Sequence, residues 1–300
     1  MDTNPHAPLE FNEGHLGIPK HILMQVYSYS SKSLFDLDLN SPLQLDRISS
    51  LVLLANPAHQ TALNRRKDLV LSGCLSNADD ELRLTAVLQS LPEGAKSSIL
   101  WHHRRWILNH FQPLISQAQP ASDSLSGVSL PLHRFATELE IASIACETYP
   151  RNYHAWLHKF KVIEALTASY QISPSTESEA FFRSLEGSGI KHIDMNIKDY
   201  SSMHHLCRIF DATVKCGLKR LDETKERPYQ PVQHAKDLLL VYPMYESLWY
   251  YLRVAILVEQ NLGIKTYDTA IATSWFPQSK DPTVEKYRDA FVRWAKLTRL

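Results

Sequence analysis

Glycine is scarce in this chain, with 9 residues among 300, while 16 prolines fall mostly between apolar periodic segments. Both features favour helices joined by loops. The sequence contains no dinucleotide-binding glycine fingerprint, no P-loop and no G-x-S-x-G motif. The nucleotide-binding and hydrolase sites that these motifs build therefore do not compete with the interpretation developed here.

The chain also lacks an excess of charge of one sign, long apolar runs and closely spaced cysteines. The formal net charge is +0, too neutral for binding nucleic acid mainly through phosphate neutralisation. No run of about 18 apolar residues predicts a membrane span. The first fifteen residues lack an apolar segment, so we expect no secretory leader. Four cysteines without a close-spaced framework suit a reducing, cytoplasmic location.

What the sequence does contain is a recurring motif. In residues 149–166, YPRNYHAWLHKFKVIEAL, an Asn-Tyr-His-Ala run precedes Trp156, and His158 follows two positions later. Weaker copies recur at spacings of 38 to 55 residues. The key positions of the copies are Leu63, Trp101, Trp156, Met203 and Trp249. This period is typical of a stack of helix pairs, each too small to bury its own apolar face.

The periodicity predicts an all-α fold in which an A helix precedes each motif-bearing B helix. Acidic residues open segment 79–91, and apolar residues follow at helical spacing, as expected for an A helix. We place the B helices in one layer and the A helices in the other. Residues 1–20 are expected to be weakly ordered, and residues 21–300 to form a single repeat domain. Flanking helices are predicted at 21–39 and 281–300, and loops at 112–131, 170–179 and 219–233.

The P-x-N-Y-x-x-W-x-H pattern resembles the alpha subunit of protein prenyltransferases. It is clearest at Pro150, Asn152-Tyr153 and Trp156-x-His158. The first copy, NPAHQTALNRRKDLVLSG, looks most like the branch called prenyltransferase alpha subunit repeat-containing protein. The resemblance covers roughly residues 45–260. It implies an alpha-alpha superhelix, a TPR-like crescent of helical hairpins that wraps a separate beta subunit.

The resemblance also implies a chemistry. In that family the beta subunit holds the zinc, so we expect no cofactor in this chain. A cysteine thiolate of a substrate protein displaces diphosphate from a farnesyl or geranylgeranyl diphosphate. The alpha subunit supplies a lysine five residues before the Trp of one repeat, which here is Lys96, and positioned cations stabilise the departing diphosphate. The Asn-Tyr-His triplet beside that site corresponds to Asn152, Tyr153 and His154.

Several positions depart from the family pattern. Ser97-Ser98 follow Lys96 where the family has Asn-Tyr, Leu63 and Met203 replace tryptophans, and Lys161 stands where a second Trp would be. These changes leave Lys96, Tyr153 and His154 untouched.

Each candidate also has a structural interpretation. The tryptophans are expected to pack between repeats. His103 and His158 either bond a neighbouring carbonyl or carboxylate, or contact a partner, and Tyr153 can simply pack beside Trp156. His204, His205, Cys207 and Cys216 do not have the spacing of a structural zinc site.

Two functions from different classes remain open. The first is the alpha-type subunit of a heterodimeric prenyltransferase, inactive without its beta subunit. The second is a non-catalytic helical-repeat scaffold, which the degraded motifs favour, because a fold does not by itself imply a function. An exposed apolar patch lined by Tyr and His near residues 96 and 152–154 would favour the first, and a uniformly charged surface there the second.

Overall fold

The computed structural model describes residues 10–12, 15–111, 124–125, 127–149, 151–218, 230–268, 274–276 and 278–298. Helices make up nearly all the regular structure of these residues, which confirms the predicted all-α class. The strands are β1 (Glu10–Asn12) and β2 (His15–Gly17), which pair antiparallel with Phe11 opposite Leu16. The helices are α1 (Lys20–Asp36), α2 (Pro42–Ala55), α3 (Gln60–Leu71), α4 (Ala78–Gln89), α5 (Pro92–Ala95), α6 (Ser98–Phe111), α7 (Leu132–Thr148), α8 (Tyr153–Ile172), α9 (Thr176–Met195), α10 (Tyr200–Lys215), α11 (Pro231–Val241), α12 (Glu246–Asn261) and α13 (Pro282–Leu297).

The predicted helix pairs are present in the described part of the chain as α2 with α3, α4 with α6, α7 with α8, α9 with α10 and α11 with α12. In each B helix the key residue of the motif is the fourth residue of the helix. All of these side chains are buried, including the substituted Leu63 and Met203. The motif therefore marks the start of each B helix, and its central residue packs in the core.

The B helices α3, α6, α8 and α10 each begin where a capping side chain satisfies a free N–H group, whereas α12 begins at Glu246 without a side-chain cap. His59 Nδ1 accepts from Ala62 N at 3.2 Å, and Asp199 Oδ1 accepts from Ser201 N at 3.0 Å. Asn152 Oδ1 accepts from Ala155 N at 3.2 Å, and Ser97 Oγ accepts from Leu100 N at 3.3 Å. Ser97 thus performs the capping role that asparagine performs in the third repeat, which explains why this departure from the family pattern is tolerated.

The contacts divide the chain into two compact units. The first comprises Met1–Val128 and Ala136–His158, and the second comprises Ser129–Phe135 and Lys159–Leu300. That residues 21–300 form a single domain stays a prediction.

In the first unit α2 contacts α4, and α3 contacts α6, so A helices pack on A helices and B helices on B helices. One of its apolar clusters is formed by buried aliphatic side chains and includes Leu45, Leu53, Leu63 and Leu100. A smaller cluster surrounds Trp101 with alanines of α7 and α8, among them Ala145 and Ala155. These small residues leave room for the indole ring, so the prediction that Trp101 packs between repeats is confirmed.

In the second unit α10 contacts α12, again B helix on B helix, and α13 packs on α12. Its core is richer in aromatic rings. Trp249 lies 4.9 Å from Phe276 and 5.8 Å from Phe291, measured between ring centroids. The helix predicted near the C-terminus therefore closes the core of this unit through Phe291.

Two loop predictions need correction. The predicted loop 170–179 is mostly helical, because α8 continues to Ile172 and α9 begins at Thr176. Ser175 accepts a hydrogen bond from Ser178 N at 3.1 Å, so this polar segment caps a helix as well as connecting two. The predicted loop 219–233 ends earlier than expected, since α11 starts at Pro231.

The remaining predicted loop and the N-terminal segment lie largely outside the described residues. Most of the predicted loop 112–131 lies outside the described residues, namely 112–123 and 126. Within the predicted weakly ordered N-terminus, residues 1–9, 13 and 14 also lie outside them, whereas β1 and β2 form a short hairpin there. No helix among the described residues has the length and hydropathy needed to cross a bilayer.

Candidate functional site

The backbone carbonyl of Ala95 joins the second and third repeats. It accepts a hydrogen bond from Trp101 Nε1 at 2.7 Å and another from Asn152 Nδ2 at 2.6 Å. Asn152 also caps α8 through its Oδ1 atom, which accepts from His154 N at 3.1 Å. One buried side chain therefore fixes the turn that precedes Lys96 and the helix start that carries Tyr153 and His154.

Lys96 extends from this fixed turn into solvent. Its side chain is 44% exposed, and Nζ lies 3.2 Å from Oε2 of the exposed Glu93. The same ammonium lies 5.5 Å from the centroid of the Tyr149 ring, within the range of a cation–π contact. Because exposed ion pairs are weak, the ammonium can exchange Glu93 for another anion.

Aromatic residues lie on both sides of Asn152 in the chain segment that this residue holds. Tyr149 and Tyr153 are 43% and 69% exposed, and the Tyr153 and His154 rings meet edge to face at 5.3 Å. Burial, followed by the positive charge of Arg105, lowers the pKa of His154. At neutral pH this imidazole is therefore uncharged and can both donate and accept a hydrogen bond. Tyr153 is exposed and His154 is half-buried, and an exposed apolar patch lined by Tyr and His near residues 96 and 152–154 stays a prediction.

The histidine that follows the key residue lies inside the protein. His103 is 1% exposed, and its Nε2 lies 2.8 Å from Oε1 of Glu81 in α4. Glu81 also pairs with Arg66 of the preceding B helix, at 2.6 Å. Arg66 in turn donates to Ser49 Oγ of α2 at 2.9 Å. This first buried cluster, formed by Arg66, Glu81 and His103, connects the first repeat to the second.

A second buried cluster repeats the same arrangement one repeat later. Arg104 Nε donates to Glu138 Oε2 at 2.7 Å, and His158 Nε2 lies 3.0 Å from the same oxygen. Arg104 also donates to Leu82 O and Thr85 Oγ1 of α4, both at 2.7 Å. The arginine at motif position plus three thus pairs with the next A helix, whereas the histidine at plus two pairs with the A helix of its own repeat.

The protonation states of these clusters follow from their geometry. Burial by itself would raise the pKa of Glu81 and Glu138, but hydrogen bonds from the histidine and arginine partners and the arginine charge outweigh it. The pKa of both carboxyl groups therefore falls to about 2. Burial lowers the pKa of His103 and His158 below its ordinary value, although their glutamate partners oppose this. The Nδ1 atoms of both histidines have no hydrogen-bond partner among the residues that the structure describes. A neutral ring that donates from Nε2 leaves a lone pair at Nδ1 rather than an unsatisfied N–H donor.

These positions correct part of the candidate site. Asn152, His103 and His158 are 2%, 1% and 0% exposed, so they are not available to a partner or substrate. Their polar atoms bond to the protein itself because each connects neighbouring helices. The structural interpretation of His103 and His158 is confirmed. Lys96, Tyr153 and His154 lie in one region and stay candidates for direct contact with a ligand.

The sequence did not reveal the groups that complete this arrangement. Glu81 and Glu138 lie 22 and 20 residues before the histidines that they bind, and nothing local distinguishes them from surface glutamates. The available signal was their position on the buried face of a predicted A helix. No group of three or more His, Cys, Asp or Glu side chains in the described ranges could hold a metal ion.

Helix pairs that repeat along the described chain, each with a buried key residue at the fourth position of its B helix, define an all-α helical-repeat protein. Residues 135–166, which span most of α7 and the first part of α8, match the model of the family described as protein prenyltransferase alpha subunit repeat. Together with the relatives described next, this match shows that the chain belongs to the family of prenyltransferase alpha subunit repeat proteins.

Similar proteins are known from animals and yeast. Protein prenyltransferase alpha subunit repeat-containing protein 1 of Danio rerio is 24% identical over 277 residues, covering 81% of this chain and 62% of that protein. Its Xenopus laevis counterpart 1-B is 30% identical over 217 residues, covering 68% and 46%. The geranylgeranyl transferase type-2 subunit alpha of Saccharomyces cerevisiae is 25% identical over 225 residues, covering 73% and 60%. The chain thus spans about half to three fifths of the length of these relatives.

Proposed function

We propose that this chain is an alpha-type subunit of a heterodimeric protein prenyltransferase. In this proposal a separate beta subunit binds the isoprenoid diphosphate and holds the zinc ion. The complex transfers a farnesyl or geranylgeranyl group to a cysteine of a protein substrate in the cytoplasm. The similarity to the yeast subunit named above supports the proposal.

The observation that carries the proposal is the position of Lys96. Its ammonium is exposed, lies beside Tyr149, and follows a carbonyl that accepts hydrogen bonds from both Trp101 and Asn152. A flexible stem on a rigid base suits a cation that must reach a phosphate oxygen of a ligand bound to another subunit. The exposed Tyr153 provides apolar surface for that subunit.

In this role Lys96, Tyr153 and His154 act on the departing diphosphate. Lys96 neutralises charge that develops on the departing diphosphate, which lowers the barrier to substitution at C1 of the isoprenoid. Neutral His154 and the Tyr153 hydroxyl can donate hydrogen bonds to the same oxygens. The zinc expected in the partner would lower the pKa of the substrate cysteine and so favour its thiolate, which is the nucleophile.

The test is turnover by the assembled complex. After co-expression with candidate beta subunits, Lys96→Ala is expected to lower kcat about a hundredfold, while leaving assembly intact. Lys191→Ala, which removes an exposed lysine of α9, serves as the matched control and should not change kcat. Unchanged kcat for Lys96→Ala would remove this lysine from the site, and failure of every beta subunit to bind would count against the whole proposal.

A non-catalytic scaffold is the second candidate, and two observations favour it. Ser98 stands where the family carries a tyrosine, so a ring is missing beside the lysine. Lys96 already contacts a carboxylate of its own chain, Glu93. A complex that assembles with a beta subunit but transfers no isoprenoid would establish this second candidate.

A further inference from the structure

A groove in the second unit lies between the B helices α10 and α12, apart from the region of Lys96 in the chain. Its volume is about 310 Å³, and its polar wall is a stripe on α10 that includes His204, Arg208, Asp211 and Lys215. These residues recur at helical spacing, so their side chains lie on one face of the helix. The proposed prenyltransferase function uses none of them.

Arg208 is the group that points to a ligand. Its guanidinium lies 6.0 Å from the centroid of the Phe160 ring, an arrangement that reduces the rotational freedom of the side chain. Nowhere in the described ranges does a carboxylate form an ion pair with Arg208. Its fork of N–H donors is therefore available for a bidentate anion.

The other charges of the groove limit the charge of that anion. Lys215 Nζ lies 2.8 Å from Asp211 Oδ2, so these two charges largely cancel. Burial and the charge of Arg208 lower the pKa of His204, which leaves its ring neutral at pH 7. The lining thus carries about one excess positive charge, and Asp211 would repel a dianion such as phosphate. A monoanionic carboxylate matches this balance.

The opposite wall of the groove is formed by the end of α12, and its residues indicate which other groups the ligand carries. Val258 and Leu262 are half-buried and supply apolar surface, and the exposed amide of Asn261 lies between them in sequence. An apolar side chain can pack on the first two residues, while the asparagine amide can pair with a peptide group.

We propose that this groove between α10 and α12 binds the C-terminal residue of a peptide. Arg208 holds the free carboxylate, Val258 and Leu262 accept an apolar terminal side chain, and Asn261 pairs with the last peptide group. The volume of about 310 Å³ is at the lower end of that of small-ligand sites and accommodates one such residue. The site is independent of the region of Lys96 and does not require prenyl transfer.

The test uses the full chain and N-acetyl-leucine, which carries a free carboxylate, an apolar side chain and one peptide group. Amide resonances of α10 and α12 should shift on titration with a millimolar Kd. N-acetyl-leucinamide, which lacks the charge, should bind about tenfold more weakly or worse. Arg208→Gln should weaken the binding of N-acetyl-leucine by about the same factor. Arg83→Gln, at an exposed arginine of α4, should leave the binding unchanged.

Arg208 is exposed, so the variant should fold, and an unchanged circular dichroism melting curve checks this. Equal shifts with the acid and the amide, or no shifts in α10 and α12, would overturn the proposal. Tighter binding of inorganic phosphate than of N-acetyl-leucine would also overturn it, because the groove would then be a phosphate site.

Discussion

At the scale of single residues, one asparagine has more structural consequence than its exposed neighbours. Asn152 caps α8 through Oδ1 and donates from Nδ2 to the carbonyl that precedes Lys96. It therefore sets the positions of both halves of the candidate site without contacting a ligand. A change at this residue should affect stability first, and any effect on function should follow from displacement of Lys96 or His154.

We expect Asn152→Ala to lower the free energy of unfolding by about 2–3 kcal/mol, because the helix loses its cap and a buried hydrogen bond is lost. The free energy of unfolding of Asn152→Ser should lie between that of the unmodified chain and that of Asn152→Ala, since a serine hydroxyl can still cap the helix. Urea unfolding followed by tryptophan fluorescence measures both. Asn64→Ala, at an exposed position of α3, is the control and should stay within about 0.5 kcal/mol of the unmodified chain.

The sequence predicted this residue's neighbourhood but not its burial. The motif located Asn152, Tyr153 and His154 correctly at the start of a B helix. Their order gave no measure of exposure, because a cap residue and the residue after it lie within one turn and differ only in direction. Tyr153 is exposed and Asn152 is buried, so adjacent members of one motif have opposite roles.

At the scale of helices, the two buried clusters connect the first repeat to the second and the second repeat to the third. Each combines an arginine, a glutamate and a histidine from three successive helices of the A and B layers. Buried ion pairs of this kind contribute little net stability over apolar packing, but removing one partner leaves uncompensated charge inside the protein. They act chiefly by specifying which helix lies beside which.

Removing the glutamate of the second cluster tests this. Glu138→Ala should lower the free energy of unfolding by about 3–5 kcal/mol, because Arg104 would stay buried without its carboxylate. Glu140→Ala removes an exposed carboxylate two residues later on the same helix and should change stability by less than about 0.5 kcal/mol. Equal effects of the two substitutions in urea unfolding would show that the buried cluster has no special role.

The helix pairs themselves could be predicted, because apolar periodicity and the motif act within one helix. The clusters could not, because their glutamates are distant in sequence from their partners. The error at 170–179 has a related cause. Serine, proline and threonine are typical of loops and of helix starts alike, and composition alone did not show that Ser175 caps α9.

At the scale of the whole molecule, the clusters make stability depend on pH. The pKa of Glu81 and Glu138 is about 2, against 4.5 for the unperturbed group. The unfolded chain therefore binds protons first on acidification, and the stability these carboxylates contribute above pH 4.5 is lost as pH falls toward 2. His103 and His158 have a lowered pKa. The unfolded chain also protonates these histidines first, so stability already declines below the ordinary histidine pKa of 6.5.

The expected outcome is a urea midpoint that falls steadily from about pH 7 to about pH 5, and more steeply below the ordinary glutamate pKa of about 4.5. A variant in which Arg104, Glu138 and His158 are replaced together by Met, Leu and Phe should lose part of that dependence and keep its fold. A midpoint that is constant over this range, or that rises in acid, would contradict the assigned protonation states.

The alternation of the clusters has a consequence for exchanging repeats between proteins of this kind. The second helix pair presents the carboxylate of Glu81 to the pair before it and the guanidinium of Arg104 to the pair after it. A transplanted pair will therefore fit only between neighbours of matching polarity, even where its apolar surface is suitable. The later pairs, which carry Leu206 and Leu252 in place of the arginine, lack this restriction and should accept foreign neighbours more readily.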